Sequence, residues 1–248
     1  MPEADRAVEQ QIRRMTRRSF LWGAGAGLTG LAGGVWLRTR GAAGGIAWPL
    51  RRALEFNERL AQGAFGPGRL APTFARELAR QPRVNGALGL AGDFDPAGWR
   101  LRVEQPTEAA PVRTVTLDDI KALPRVEMVT ELKCVEGWSV VVHWAGARFS
   151  DFAARHGSAG LPPYVGLETP DGGYYVGLDL PSALHAQTLL CYEMNGTPLT
   201  AEHGAPLRLV TAVKYGFKSL KRIGTIRFTD RRPADYWAER GYDWYAGH

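Results

Sequence analysis

The chain has 248 residues, of which 45% are apolar, 23% charged and 10% aromatic. That globular composition excludes a disordered tail, a fibrous repeat and a disulfide-dense miniprotein. The formal charge of +6 sits mostly at the N-terminus, where residues 1–43 carry seven arginines against three acids and leave 24 basic against 22 acidic residues for the rest. A nucleic-acid binder needs a basic face on its folded body, so this balance argues against a nucleic-acid partner.

Thr16-Arg-Arg-Ser-Phe-Leu-Trp22 leads into an apolar run from Phe20 to Leu37, followed by Arg38-Thr-Arg40. A basic segment ahead of an apolar one is an export-signal pattern, and the adjacent Arg17-Arg18 makes it twin-arginine in type. The run is 18 residues long with six glycines, weak for a spanning helix. An uncleaved anchor is the alternative to cleavage near Ala42–Ala43. The expected division is therefore a leader over 1–43 and a domain over 44–248, with a periplasmic location. Gly25-Ala-Gly27-Leu-Thr-Gly30 matches a dinucleotide fingerprint, but no strand precedes it, so the nucleotide reading is rejected.

Apolar residues at 50, 53, 54, 60 and 61 fall at helical spacing and predict a helix over Leu50–Ala61. Residues 62–112, rich in glycine and proline, read as long connections with short strands. Thr116-Leu-Asp-Asp119 is a capping box for a helix through Leu123, closed by Pro124. Val126–Leu132 and Ser139–Trp144 are β-branched runs of strand length. Ser150 is expected to cap a short helix over Asp151–Arg155, ended by Gly157. Further strands are predicted over Tyr164–Glu168, Gly173–Leu178, Leu189–Glu193, Leu207–Val213 and Gly224–Phe228, with Asn195-Gly196 as a turn. There is no internal repeat and no composition break after residue 45. The pattern predicts one α+β domain, mostly β.

The chain has two cysteines, Cys134 and Cys191. An even pair in an exported protein allows a structural disulfide. The count excludes a metal–sulfur cluster or a four-cysteine zinc site, and no His–Cys pair has zinc-finger spacing. A nucleophilic pair of Cys134 with one of five histidines stays open, because such pairs meet only in the fold. Cys191, mid-strand in Leu-Leu-Cys-Tyr-Glu, reads as a small buried apolar side chain. Cys134 lies between two strands, beside Lys133, which favours its thiolate, and shortly before Gly137, which permits a sharp turn. A soft thiolate at a strand end suits a soft, redox-active metal.

Lys133-Cys-Val-Glu-Gly-Trp-Ser139 resembles the molybdenum-ligand segment of the sulfite oxidase family. Glu168-Thr-Pro-Asp-Gly-Gly-Tyr-Tyr175, Tyr192-Glu-Met-Asn-Gly-Thr-Pro-Leu199, His203-Gly-Ala-Pro-Leu-Arg208 and Lys214-Tyr-Gly-Phe-Lys-Ser-Leu-Lys221 resemble further family blocks in the same order. Together they span roughly residues 50–240, and the likeness is greatest to the exported sulfoxide-reducing branch. The resemblance implies a sulfite-oxidase-type molybdopterin-binding domain, here without the C-terminal immunoglobulin-like domain. It implies a molybdenum–molybdopterin cofactor with Cys134 as metal ligand. Asn57, Thr169, His203, Arg208 and the segment Ser219, Leu220, Lys221 are implied to bind the pterin and its phosphate. Such an anion wants a guanidinium fork, backbone N–H groups and an ammonium, and Arg208 and Lys221 supply the cations.

Three of the five lysines in this arginine-rich chain are Lys214, Lys218 and Lys221, which suggests positions where a compact ammonium matters; a solvated charged strand is the alternative. His203 stands where the reductase branch has asparagine and instead resembles the sulfite oxidases proper. Two readings of function follow for a molybdopterin enzyme acting at sulfur. The favoured one is reduction of a small-molecule or protein-bound sulfoxide. The other is sulfite oxidation, for which Arg148 and Arg222 are candidate extra cations. No C-x-x-C-H haem-attachment motif is present, so electrons are expected from outside, from a b-type haem membrane protein. A rival from a different class is a non-catalytic exported binding domain closed by a Cys134–Cys191 disulfide. Asp235–Tyr245 holds five aromatics in eleven residues and is expected to dock on the domain, with a partner surface as the alternative.

Overall fold

A computed structural model describes residues 3–39, 41–43, 45–92, 94–106, 111–158 and 160–248, with side chains from Arg18 onward. Of the N-terminal basic residues, the side chains of Arg6, Arg13, Arg14 and Arg17 and all of Arg40 lie outside that set. Two compact units emerge, Met1–Ala53 and Leu54–His248.

The first unit holds α1 (Glu3–Thr39), then the two-residue strands β1 (Ala42–Ala43) and β2 (Ile46–Ala47), and the start of α2 (Trp48–Ala64). The stretch Arg18–Thr39 of α1 is long and apolar enough to cross a membrane, by length and composition. The Gly25–Gly30 motif lies inside this helix with no strand before it, so the dinucleotide reading stays rejected.

The second unit continues with β3 (Leu101–Glu104), β4 (Arg113–Val115), α3 (Leu117–Lys121), β5 (Arg125–Lys133), β6 (Ser139–Arg148), α4 (Phe149–His156), β7 (Tyr164–Glu168), β8 (Tyr175–Asp179), α5 (Leu180–Ala183), β9 (Thr188–Met194), β10 (Thr197–Pro198), β11 (Arg208–Thr211) and β12 (Thr225–Thr229). The result is α+β and mostly β, as expected. One sheet runs β10-β9-β6-β5, with β11 also on β9, all antiparallel. The other runs β4-β3-β12-β7-β8, antiparallel except for the parallel β3–β12 pair.

In the second sheet, side chains alternate as a period of two requires. Leu101 and Val103, Val165 and Leu167, and Ile226 and Phe228 point into a core shared with Ile120 of α3 and Phe149 and Phe152 of α4. Strand β9 is buried along almost its whole length, which is why it reads as the continuous apolar run Leu-Leu-Cys-Tyr rather than an alternation. Cys191 sits in a second core with Met128, Trp144 and Met194. Both cysteines are free thiols, so the structure does not carry the disulfide on which the binding-domain reading rests.

The Thr116–Asp119 capping box forms, each side chain bonding the other residue's backbone N–H. The expected cap at Ser150 does not. Helix α4 begins two residues earlier than expected, at Phe149, with Arg148 at the N-cap and no side-chain cap bond. Burial of Phe149, Phe152 and Ala153 sets that start and puts Ser150 inside the first turn.

Candidate cofactor cavity

Strands β5 and β6 form a long hairpin with Lys133 opposite Ser139. Its loop is Cys134–Trp138. The Cys134 N–H donates to the Trp138 carbonyl at 2.9 Å, and the Gly137 N–H returns to the Cys134 carbonyl at 3.1 Å. Gly137 has φ 86°, a left-handed conformation that costs a side-chain-bearing residue. The loop therefore needs glycine to present the cysteine at the end of a rigid strand. Cys134 is half-buried, and the Asn85 amide donates toward its sulfur at 3.8 Å.

Around this sulfur lies a cavity of about 270 Å³. Cys134, His203, Arg208, Ser219 and Lys221 all line it, so the structure brings together five residues that the sequence reading put in one site. Three others fall elsewhere. Leu220 is fully buried in the main core and anchors the segment between Ser219 and Lys221. Thr169 is buried in the turn after β7, where its hydroxyl pairs with Asp171 at 2.6 Å and accepts from the Tyr174 N–H at 3.1 Å. Asn57 is exposed on α2 and does not line the cavity.

The asparagine in the cavity is Asn85. It belongs to the loop Pro82–Leu88, which also contributes Arg83 and Gly86. That loop has no hydrophobic period. Its only sequence signal is an asparagine before a glycine, which by itself reads as a turn.

Arg208 opens β11 opposite Cys191 of β9. Its guanidinium lies 4.8 Å from the centre of the Trp144 ring and donates to the carbonyls of His203 at 3.1 Å and Ser219 at 3.3 Å. Its Nε is buried with no hydrogen-bond partner. Burial without a counter-ion holds its pKa down to about 10. Burial and the Arg208 charge likewise depress Lys221 to about 8, and its Nζ donates to the Gly86 carbonyl at 3.2 Å. His203 is also held below its ordinary value, first by burial and then by Arg208 and Lys221; its Nε2 is 2.9 Å from the Gln81 amide nitrogen. Among the described residues, no carboxylate forms an ion pair with Arg208 or Lys221. A buried arginine with an orphaned donor beside a half-buried lysine is what a bound phosphate or other strong anion would satisfy, so these residues fit the phosphate end of a pterin.

The structure corrects three expectations about charge. Lys133 does not ease ionisation of Cys134: its Nζ turns to His248 at 3.4 Å and Glu131 at 4.0 Å, while burial pushes the thiol up. A bound metal would deprotonate it outright. Of the clustered lysines, only Lys221 lines the cavity; Lys218 is paired with Asp235 at 2.5 Å, and Lys214 lies 3.7 Å from Asp179. Arg148 and Arg222 are also outside it, Arg148 exposed and Arg222 seated 4.0 Å from the Phe94 ring centre.

Much of the remaining wall is aromatic, with Leu132, Val135 and the carboxylate residue Glu136 also lining it. Trp138, Phe217, Trp237 and Tyr242 line the cavity beside Cys134, together with Tyr174. The Trp138 indole donates to Glu136 at 3.0 Å, and Arg83 sits 5.6 Å from its ring centre. The aromatic tail docks as expected, with Trp244 and Tyr245 buried, and it also supplies Trp237 and Tyr242 to the site. The sequence reading missed that second role, because nothing in a terminal aromatic cluster distinguishes packing from lining.

Comparison with known proteins agrees with this geometry. The model of the oxidoreductase molybdopterin binding domain matches residues 88–237, and the chain belongs to that family, the sulfite oxidase family of molybdopterin-dependent oxidoreductases. Among curated relatives, YedZ1 of Azospira oryzae, named as a protein-methionine-sulfoxide reductase subunit, is 34% identical over 77% of this chain and 73% of its own. The protein-methionine-sulfoxide reductase catalytic subunit MsrP of Ralstonia nicotianae is 34% identical over 63% of this chain and 52% of its own. MsrP of Campylobacter jejuni is 34% identical over 64% of this chain and 60% of its own. The chain thus spans little more than half the length of the two MsrP relatives. A solved structure, the sulfane dehydrogenase SoxCD of Paracoccus pantotrophus, superposes with a TM-score of 0.52 at 19% identity, covering 57% of this chain and 41% of that one, a likeness of fold.

Proposed function

We propose that this molybdopterin oxidoreductase is the catalytic subunit of an exported, membrane-linked enzyme that reduces sulfoxides, with methionine sulfoxide, free or within a protein, as the substrate type. The carrying observation is the make-up of the cavity. Its lining combines Arg208, Lys221, His203 and Ser219, where among the described residues no carboxylate pairs with Arg208 or Lys221, with Cys134 and the aromatic residues Trp138, Phe217, Trp237 and Tyr242.

Arg208, Lys221, His203 and Ser219 would hold the pterin and its phosphate, and Cys134 would ligate the metal, with Asn85 steadying its sulfur. When bound, molybdenum in a pterin dithiolene supplies two-electron oxygen-atom transfer. The aromatic lining suits a thioether-like chain, through apolar contact and sulfur–aromatic attraction. Reduction of a sulfoxide to its thioether and water consumes two electrons and two protons.

Sulfite oxidation is the reading this wall favours less. A dianion needs several cations at the reacting centre, and the candidates Arg148 and Arg222 lie outside the cavity, whose lining includes the carboxylate residue Glu136 close to Cys134. The names of the relatives support the reductase reading and a subunit role. Electrons would come from a b-type haem membrane protein. The Arg17-Arg18 pair would direct export of the folded chain to the periplasm by the twin-arginine route, with Arg18–Thr39 holding it at the membrane.

Assays on one purified sample, together with molybdenum and pterin analysis, test this: viologen-driven reduction of methionine sulfoxide against sulfite-driven reduction of an electron acceptor. Sulfoxide turnover with molybdenum near one per chain is expected. Efficient sulfite turnover without sulfoxide reduction would replace the reading by the sulfite one.

A further inference from the structure

Helix α2 carries three different faces. Leu54, Glu58, Ala61 and the adjoining Phe65 recur at helical spacing and tie the helix to the body. Glu58 pairs with Arg232 at 2.7 Å, and Ala61 and Phe65 pack on the small core of Ala238, Trp244 and Tyr245. Arg51, Arg52, Glu55, Arg59 and Gln62 form a polar face. The third face is mainly apolar: Leu50, Ala53, Phe56, Leu60 and Ala64 recur every third or fourth residue, with Asn57 the polar residue among them, which puts them on one side of a helix. That face is uncovered, with Leu50 58%, Phe56 54% and Leu60 57% exposed.

An apolar stripe flanked by arginines, with a tryptophan at the helix start, is the composition of a helix that lies in the plane of a bilayer surface. The same chain brings a bilayer within reach. Residues 40–47 alone separate the membrane-length helix ending at Thr39 from Trp48, and fully extended they span at most about 30 Å.

We infer that α2 rests on the lipid–water interface through Phe56, Leu60 and the residues that continue their stripe. The inference rests on the proposed membrane attachment through Arg18–Thr39. Its arginines would meet anionic headgroups, while the opposite face grips the C-terminal tail. That tail also supplies Trp237 and Tyr242 to the cofactor cavity. The contact would therefore steady the cavity beside the membrane from which electrons are proposed to arrive.

Photo-crosslinking in membranes from cells making the full chain tests it, with p-benzoylphenylalanine placed at Phe56, at Leu60 or, as a control, at Arg59. Expected are phospholipid adducts at 56 and 60 and their loss at 59. A membrane-bound chain that gives no lipid adduct at 56 or 60, or that crosslinks there to a protein instead, overturns the inference and leaves the attachment standing. Recovery of the chain in the soluble fraction overturns the attachment and, with it, the inference. The double variant Phe56→Glu/Leu60→Glu should keep viologen-driven activity and lose the protection that membranes give α2 against protease. Equal protection in the variant and the parent chain overturns the lipid contact.

Discussion

Arg208 and Lys218 are both buried cations, ten residues apart, and they differ in one respect. Lys218 carries its counter-ion with it, since its ammonium meets Asp235 at 2.5 Å and the Gly177 carbonyl at 2.9 Å. Arg208 reaches two carbonyls, and its Nε reaches nothing. Burying a charge costs several kcal/mol unless a partner offsets it. A fold that retains the uncompensated one leaves that cost for a ligand to offset. Lys218 therefore belongs to the architecture, and Arg208 is the cation proposed to serve the cofactor. Lys221 goes with Arg208, and Lys214, beside Asp179, goes with Lys218.

The largest test of that division is at the thiol beside Arg208's cavity. Cys134→Ala should abolish turnover and metal retention while the chain stays folded. Cys191→Ala, in the second core, should keep turnover and cost about 1 kcal/mol of stability for a small cavity. Metal content and denaturant melts of both variants check this, and equal loss in the two would bring back the disulfide reading.

Exchanging the two cations sharpens the comparison directly. Lys218→Met strands Asp235 and should cost about 3–5 kcal/mol of stability, as removing one partner of a buried pair does. Arg208→Met removes a charge that has no carboxylate partner, only the His203 and Ser219 carbonyls and the Trp144 ring. The cofactor-free chain should melt at the same denaturant concentration or higher, while pterin retention falls by roughly ten- to a hundredfold, the value of one or two charge-assisted hydrogen bonds. If Arg208→Met destabilised the cofactor-free chain as much as Lys218→Met, both cations would be architectural.

This contrast also marks what was legible beforehand. Cys134, His203, Arg208, Ser219 and Lys221 could be grouped beforehand, and they line one cavity, because they fall in short ordered blocks that resemble those of the family. Most strands could be read because inward positions alternate, and β9 because burial on both faces leaves a continuous run. Three lysines within eight residues could be seen to be special, but not sorted. Residues 212–224 are irregular, and in irregular backbone adjacent side chains face different ways with no period to predict which. Asn57 and Asn85 fail for a related reason. Each is one asparagine in a segment without a diagnostic motif, and only the path of the Pro82–Leu88 loop brings the second to the sulfur.

The leader contrasts with the body in the same way, one by its charges and the other by its packing. Replacing both Arg17 and Arg18 by Lys keeps the charge and removes the pair that a receptor reads. Periplasmic activity should fall to a small fraction, with precursor accumulating in the cytoplasm and the stability of the purified chain unchanged. Undiminished export would assign the leader to the general secretory route.

The smallest effect lies within the architectural pair itself. Lys214 has a fully buried Nζ without a hydrogen-bond partner, set 3.7 Å from Asp179 and against the face of the Tyr245 ring. The ring and the carboxylate favour the ammonium, yet burial outweighs them and holds its pKa down to about 7. An unfolded lysine titrates near 10.4. Between those values the unfolded chain binds the proton that the folded chain has shed, so stability rises with pH, by at most about 1.4 kcal/mol per unit from this group. Below about 7 both states are protonated and the contribution is flat at its low end. Lys214→Met should remove this slope. Denaturant melts of the parent chain and the variant at about pH 7.5 and 9.5 compare it directly, and Lys221 titrates alike in both, so the difference between them isolates Lys214. Parallel slopes would mean that Asp179 and the Tyr245 ring keep this ammonium charged, as Asp235 compensates Lys218, and that Arg208 alone among these buried cations lacks adequate protein compensation.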